Sequence, residues 1–305
     1  EKLLAYKSRR EGKPLSVAVT DRAMAEEYVE LTDQAKKLYE RFLPGPYTIV
    51  SKGRGKVAAG VESEFGTLGV RIPDYPLVLE MVKALGRPLT ATSANASGEK
   101  RPYTVADVLE RLSDKQKSLI DLIIDAGELP RNEPSTVIDT TLATPLTVRG
   151  AQAAGSQTFE THTAQETQDL AGKLMLKHWE KIKSTGLLVA LNGELGAGKT
   201  VFTGGIARFL QITEPIASPT YTYLLEYDYE RHGTSGVLHH LDAWKVDSSE
   251  MFERLEIEQL VAPGNVVVVE WWQQVAAFWP KKPDLIIHIA DAGEDTRQLT
   301  IEENA

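Results

Sequence analysis

The chain of 305 residues contains no cysteine. Disulfide staples and thiolate metal sites are therefore excluded. No apolar run approaches the roughly 18 residues of a membrane-spanning helix, and nothing resembles a secretory signal. The expectation is a soluble, cytoplasmic protein without a membrane partner. Internal repeats and extended low-complexity tracts are also missing, which sets aside solenoids and compositionally driven disorder.

Positive charge is scarce in only one half. The chain carries a net charge of −9, but residues 1–150 hold 22 Lys+Arg against 21 Asp+Glu, and residues 151–305 hold 12 against 22. An acidic second half is a poor candidate for gripping nucleic acid by itself. The acidic surface itself reads as a solvated face. Length and this step in charge together predict two domains. The boundary falls in Ala151-Gln152-Ala153-Ala154-Gly155-Ser156-Gln157-Thr158, which is small, polar and without apolar periodicity. The expected division is residues 1–150, a linker over 151–165, and residues 166–305.

The most informative stretch is Gly193-Glu194-Leu195-Gly196-Ala197-Gly198-Lys199-Thr200. It fits the phosphate-binding pattern G-x-x-x-x-G-K-[ST] at every fixed position. Gly193, Gly196 and Gly198 allow successive backbone N–H groups to point at one anion, and the following helix adds its positive end. Lys199 can reach the outer phosphates of ATP, and the Thr200 hydroxyl can ligate Mg2+. The apolar run Leu187–Leu191 predicts a buried strand entering the turn. Val201–Leu210, with Phe202, Ile206, Phe209 and Leu210 at helical spacing, predicts a helix leaving it.

The rest of the second half alternates strands and helices. Helices are expected over Asp169–Lys183, with Leu170, Leu174, Trp179 and Ile182 as the apolar stripe, and over Phe252–Leu260. Strands are expected over Tyr221–Tyr229, Val237–Leu241, Val266–Val269, Leu285–Ile289 and Gln298–Ile301, the third buried and parallel. This is α/β with a sheet core, of P-loop NTPase type. A P-loop needs a further carboxylate for magnesium or for orienting water. Asp242 and Glu270 each close a strand, where α/β proteins bind ligands, although a strand-end carboxylate also serves as an ordinary helix N-cap. Thr220 is a nucleotide-sensing hydroxyl or a plain turn residue. Trp271 either stacks on adenine or packs the core. His239 and His240 lack metal-ligand spacing and read as structural.

This half resembles the TsaE family, the small bacterial ATPases of tRNA threonylcarbamoyladenosine synthesis. The carrying motifs are GELGAGKT at 193–200, SPTY at 218–221, HHLDAWKV at 239–246 and VEWW at 269–272. The resemblance implies Thr200 and Asp242 near magnesium, Thr220 in a nucleotide-sensing loop, Glu270 in hydrolysis, and a TsaD/TsaB-like transferase complex as partner. Trp244-Lys245 stands where the family has an aromatic Tyr-Arg pair.

The first half mixes strand candidates (Leu15–Val19, Tyr47–Ser51, Leu68–Ile72, Ile123–Asp125, Thr136–Asp139, Leu146–Val148) with helix candidates (Ala23–Glu30, Gln34–Phe42, Leu77–Leu85, Val105–Arg111). It offers cations and hydroxyls, not acid–base pairs: Lys7 and Arg9 before Pro14, Thr67 and Arg71 on one strand, Ser93 and Asn95 in a polar turn, Ser135, and Arg149. Such groups suit a triphosphate or carboxylate if they converge; otherwise they are surface residues. The motifs KSRREGKPLSV at 7–17, PGPYT at 44–48, TLGVRIPDYP at 67–76, TSANASG at 92–98, STVID at 135–139 and TVRGA at 147–151 resemble the TsaC/YrdC family, which makes threonylcarbamoyl-adenylate from threonine, bicarbonate and ATP. That resemblance implies a mixed, twisted α/β sheet. Lys7 and Arg9 would hold the ATP phosphates, Thr67 and Arg71 nucleotide and threonine, and Ser93, Asn95, Ser135 and Arg149 the remainder of the pocket.

The family's opening strand, helix and threonine-contacting turn have no counterpart in residues 1–305. The expectation is weak synthase activity from this chain, or a first half that serves only as an inactive docking module beside a nucleotide-dependent assembly factor.

Overall fold

The computed structural model describes residues 2–7, 15–95, 101–132, 134–150, 156–220, 222–246, 248, 257–279, 282–293 and 295–304. The chain divides into two compact units, Glu1–Gln152 and Ala153–Ala305.

The first unit is built on β1 (Ser16–Ala18), β2 (Val29–Glu30), β3 (Tyr47–Gly53), β4 (Thr67–Arg71), β5 (Leu89–Ala91), β6 (Thr136–Asp139) and β7 (Leu146–Arg149). The sheet order is β5-β1-β4-β3-β6-β7, with β2 paired to β3. It is mixed: β1 runs parallel to β4 and β3 parallel to β6, while β3 runs antiparallel to β4. Strand alternation sorts the two faces. Val17, Ile49, Leu68 and Val70 fill one core together with Ala25 of α2 (Arg22–Tyr28) and Ala35 and Tyr39 of α3 (Asp33–Phe42). The opposite face carries Ser16, Thr48, Thr67, Gly69, Arg71, Val137 and Arg149, as the register requires. Ala18 and Val50 share that face, so it mixes small, apolar and polar side chains and carries both arginines.

Two sequence expectations fail in this unit. The helix expected through Glu30 ends at Tyr28, because β-branched Val29 is extended at φ −134° and starts β2. Ile123–Asp125 is not a strand; its β-propensity finds no ladder partner among the described residues. Short helices α1 (Lys2–Tyr6), α5 (Val105–Glu110) and α6 (Asp114–Lys117) and the longer α4 (Pro76–Leu85) complete the unit.

The second unit contains β8 (Gln157–Thr161), α7 (Ala164–Thr185), β9 (Leu187–Asn192), α8 (Lys199–Leu210), β10 (Leu224–Arg231), β11 (Thr234–Asp242), α9 (Ile257–Leu260), β12 (Val266–Glu270), α10 (Trp272–Val275), β13 (Leu285–Gly293) and β14 (Thr296–Glu303). The order is β10-β11-β12-β9-β13-β14-β8. The four central strands β11, β12, β9 and β13 are parallel, and the flanking pairings are antiparallel. Val266–Val269 is buried on both faces, as a central parallel strand requires.

The linker expected over 151–165 is shorter than the sequence suggested. Residues 151–155 lie outside the described residues, and Gln157–Thr161 forms β8, paired to β14 with Phe159 opposite Leu299. Thr163 caps α7 through Glu166 N at 3.1 Å. Leu170, Leu174, Trp179 and Ile182 are buried on that helix. α7 and α8 approach closely because Gly205 has no side chain; a Cβ there would lie 2.5 Å from the Gln168 carbonyl oxygen. At the far end of α8, fully buried Arg231 donates to the Phe209 carbonyl at 2.6 Å and stacks its guanidinium 3.9 Å from the Phe209 ring centroid, a cation placed at the negative end of the helix.

Candidate functional site

In the second unit the strand ends and the glycine loop meet. Asp242 and Glu270 are register partners at the C-terminal ends of β11 and β12, and Glu270 is also opposite Leu191 of β9. The chain leaves β9 at Asn192 and turns at Gly193, whose φ is +155°. A Cβ on Gly193 would lie 2.4 Å from the Ile289 carbonyl oxygen, so only glycine permits this approach of loop to sheet. Gly196 and Gly198 take φ of +79° and +110°, and Gly198 is the N-cap of α8. The loop thus ends on a twelve-residue helix, whose first N–H groups have no intrahelical partner and favour an anion.

Lys199 is 5% exposed. Its ammonium donates to the carbonyls of Gly193 at 2.8 Å and Glu194 at 2.9 Å, and lies 3.8 Å from the Trp271 ring centroid. Burial pulls its pKa below the ordinary lysine value, while the charges of Glu270, Asp242 and Glu194 oppose that shift. The Thr200 hydroxyl donates to Glu270 Oε1 at 3.0 Å. Thr220 donates to Asp242 Oδ2 at 2.7 Å and shares a 2.8 Å contact with the Ser218 hydroxyl. Asp242 Oδ1 accepts from the Trp244 backbone N–H at 2.8 Å. Both carboxylates are nearly fully buried. Every second-half residue singled out by sequence is therefore in one constellation.

One of two open alternatives is met, and one reading changes. Trp271 is not free to stack on a base: it is 7% exposed, belongs to the core cluster with Leu188, Val267 and Val269, and has its ring beneath the Lys199 ammonium. Its φ of +60° places a bulky residue in the left-handed region directly after Glu270, a strained turn of the kind that holds functional groups. His240 is more than structural filling. It is fully buried, and its Nε2 lies 2.8 Å from Glu270 Oε1. The readable signal was parity, since His240 and Asp242 share a face of β11; the partner on β12 was not readable from local sequence.

The donor set suits magnesium. Thr200, Asp242 and Glu270 supply hard hydroxyl and carboxylate oxygens, and Mg2+ is commonly held by one or two carboxylates plus phosphate and water. No group of three or more His, Cys, Asp or Glu side chains forms a dedicated metal cage among the described residues.

The first unit brings its singled-out residues together in two groups. Buried Lys7 donates to Ser93 Oγ at 3.1 Å and to the Asn95 carbonyl at 2.5 Å. Arg71 Nη2 donates to Ser135 Oγ at 2.9 Å, and Arg149 Nε donates to the Ser135 carbonyl at 3.2 Å. Both guanidiniums have their pKa lowered, first by burial and then by a neighbouring arginine charge, Arg149 beside Arg71 and Arg101 beside Arg149. Thr67 shares a 2.7 Å hydroxyl contact with Ser63. Ala91 pairs with Ser16, and Ser16 with Gly69. The 92–95 turn therefore follows at the Thr67 end of β4, and Arg71 stands at the other end. Four strand residues separate those ends, about 13 Å. Arg9 lies outside the described residues.

Residues 1–151 match the family model of the YciO and YrdC proteins, described as telomere recombination, and residues 161–299 match the model described as threonylcarbamoyl adenosine biosynthesis protein TsaE. The chain is 38% identical over 137 residues to a putative threonylcarbamoyl-AMP synthase of Methanocaldococcus jannaschii, covering 45% of this chain and 62% of that protein. It is 34% identical over 143 residues to the threonylcarbamoyl-AMP synthase of Vibrio campbellii, covering 46% and 75%. It is 30% identical over 150 residues to the uncharacterized protein YciO of Escherichia coli, covering 49% and 71%.

Proposed function

Because the chain belongs to the threonylcarbamoyl-AMP synthase family over residues 1–151 and to the TsaE family over residues 161–299, we propose that it serves tRNA threonylcarbamoyladenosine synthesis with two nucleotide-using units. The second unit binds and hydrolyses ATP. The observation that carries this reading is the convergence of Lys199, Thr200, Asp242 and Glu270 at the mouth of one glycine loop. The loop N–H groups and the start of α8 hold the phosphates. Lys199 turns from its own loop carbonyls to the outer phosphates. Glu270 orients the attacking water and accepts its proton, and His240 and Thr200 fix the carboxylate. Thr200 and Asp242 would hold Mg2+, which supplies charge neutralisation on the phosphates when bound. Thr220, bonded to Asp242, reports the state of that carboxylate to the 218–220 loop.

The first unit binds ATP, threonine and bicarbonate. The threonine amine and bicarbonate give a carbamate with loss of water; the carbamate oxygen attacks the α-phosphorus and pyrophosphate leaves. This chemistry needs positioning and charge neutralisation, which two cation–hydroxyl groups, Lys7 with Ser93 and Arg71 with Ser135, can supply. A TsaD/TsaB-like transferase complex would receive the product and respond to the ATPase, and tRNA would be met through that complex. The alternative is the docking-module reading, in which the Lys7 ammonium stays with Ser93 and Asn95 instead of turning to a phosphate as Lys199 does. Threonine-dependent release of pyrophosphate decides between the two. The synthase reading predicts release that needs threonine and bicarbonate together and is lost in Arg71→Ala; release unaffected by that change would refute it.

A further inference from the structure

Tyr6 and Gln116 lie outside every motif read from the sequence, yet both bear on Lys7. Lys7 follows the last residue of α1, and helix ends fray. Leu3 and Leu4 seat α1 on the apolar core, but apolar contact is non-directional. Hydrogen bonds therefore decide where that end points. One comes from α6: Gln116 Nε2 donates to the Tyr6 carbonyl at 2.9 Å. The Gln116 side chain is itself fixed, because its Oε1 accepts from the Ser113 backbone N–H at 3.2 Å and from the Ser113 hydroxyl at 2.9 Å in a capping box. A second bond runs the other way. The Tyr6 hydroxyl donates to the Ala94 carbonyl at 2.5 Å, between Ser93 and Asn95, the two residues that Lys7 grips. Burial raises the Tyr6 pKa, which keeps the phenol a donor. Ser93 and Ala94 are exposed, so the turn has little packing of its own and depends on these bonds. The exposed Lys2–Asp121 pair, at 2.7 Å, adds little.

We propose that Tyr6 and Gln116 are positioning residues of the first unit: they hold the end of α1 and the 92–95 turn as one piece, at the place from which the Lys7 ammonium meets a phosphate of ATP. The inference rests on the synthase reading proposed above. Neither residue touches substrate. Gln116 acts on the Tyr6 backbone, and Tyr6 acts on the turn, so a change in either reaches the nucleotide only through Lys7 and Ser93. Such a change should weaken ground state and transition state alike, which raises KM for ATP and leaves kcat.

The test uses the 305-residue chain as wild type, Tyr6→Phe and Gln116→Glu. Phenylalanine keeps the ring and removes the bond to Ala94. Glutamate keeps the oxygen that caps α6 and removes only the N–H given to Tyr6. Two quantities are read: threonine-dependent pyrophosphate release against ATP concentration, and the rate at which acetic anhydride labels Lys7, measured by peptide mass spectrometry against exposed Lys37. The expected result in either variant is a KM for ATP raised about two- to tenfold, the span that one neutral hydrogen bond is worth, with kcat nearly unchanged. Lys7, buried in the wild type, should be labelled faster by a similar factor. Labelling of Lys7 at the wild-type rate in both variants overturns the proposal, and so does faster labelling with KM for ATP unchanged. A wild type without threonine-dependent release refutes the synthase reading instead, and the labelling rates then decide whether Tyr6 and Gln116 hold Lys7.

Discussion

Replacing Glu270 by glutamine separates chemistry from folding. The carboxylate is buried at the end of β12, and its Oε1 meets the Thr200 hydroxyl at 3.0 Å and His240 Nε2 at 2.8 Å. The amide has the same shape, and its oxygen can still accept both bonds; what disappears is the charge. A hydrogen bond to a charged acceptor contributes about 1.5–3 kcal/mol and a neutral one about 0.5–1.5, so two bonds together weaken by about 2 kcal/mol. The carboxylate's own desolvation cost vanishes and offsets part of that. The net loss of stability should stay below about 2 kcal/mol, or roughly 4–8 °C for a unit of this size. Loss of the group that orients or deprotonates water should lower kcat by about 10²–10⁴. Affinity for ATP should hold or rise, because a negative charge near the phosphates is gone. Steady-state ATPase assays with the transferase partners present, alongside calorimetry for Kd, read both quantities. A fall in kcat of less than tenfold, or loss of ATP affinity in step with kcat, would refute the reasoning.

His240→Phe keeps ring volume and removes one of the two contacts to Glu270, at about 1–3 kcal/mol for the bond lost. It should lower kcat with little change in KM, and His240→Gln should restore part of the loss; equal effects on kcat and KM would count against a positioning role. His239 has its pKa lowered by burial, with the Glu226 charge opposing. The folded chain therefore prefers it neutral while the unfolded chain protonates near the ordinary value, so stability is expected to fall as pH drops through the imidazole range. Thermal melts between pH 7.5 and 5.5 should show that slope, and His239→Gln should flatten it; an unchanged slope in the variant would sink the assignment.

What the sequence could announce was whatever depends on neighbours along the chain. The glycine loop is legible because its backbone demands are local: a tight turn, positive φ, and a helix leaving it, expected from Val201 and found from Lys199. Asp242 and Glu270 are legible because apolar runs end on them. The role of His240 required knowing that β11 lies beside β12, and the occupation of Trp271 required knowing that Lys199 folds back over its ring. The same limit explains β8, read as linker until its Phe159 is placed opposite Leu299. It also explains Ile123–Asp125, which has strand composition without a partner. In the first unit the individual cations and hydroxyls were legible, but their division into two groups at opposite ends of β4 follows only from sheet register.

The central claim is that the second unit is a phosphate site for Mg2+–ATP organised around Lys199. Its most direct test is a calorimetric titration of Mg2+–ATP into the wild-type chain and into Lys199→Ala. The variant removes an ammonium that carries a full charge to the outer phosphates; it also gives up two bonds to the Gly193 and Glu194 carbonyls, while the turns of the loop stay set by three glycines at positive φ. The account predicts saturable binding by the wild type and none detectable in the variant, with the variant still unfolding in a cooperative thermal transition. Equal affinity of the two proteins for Mg2+–ATP would contradict it.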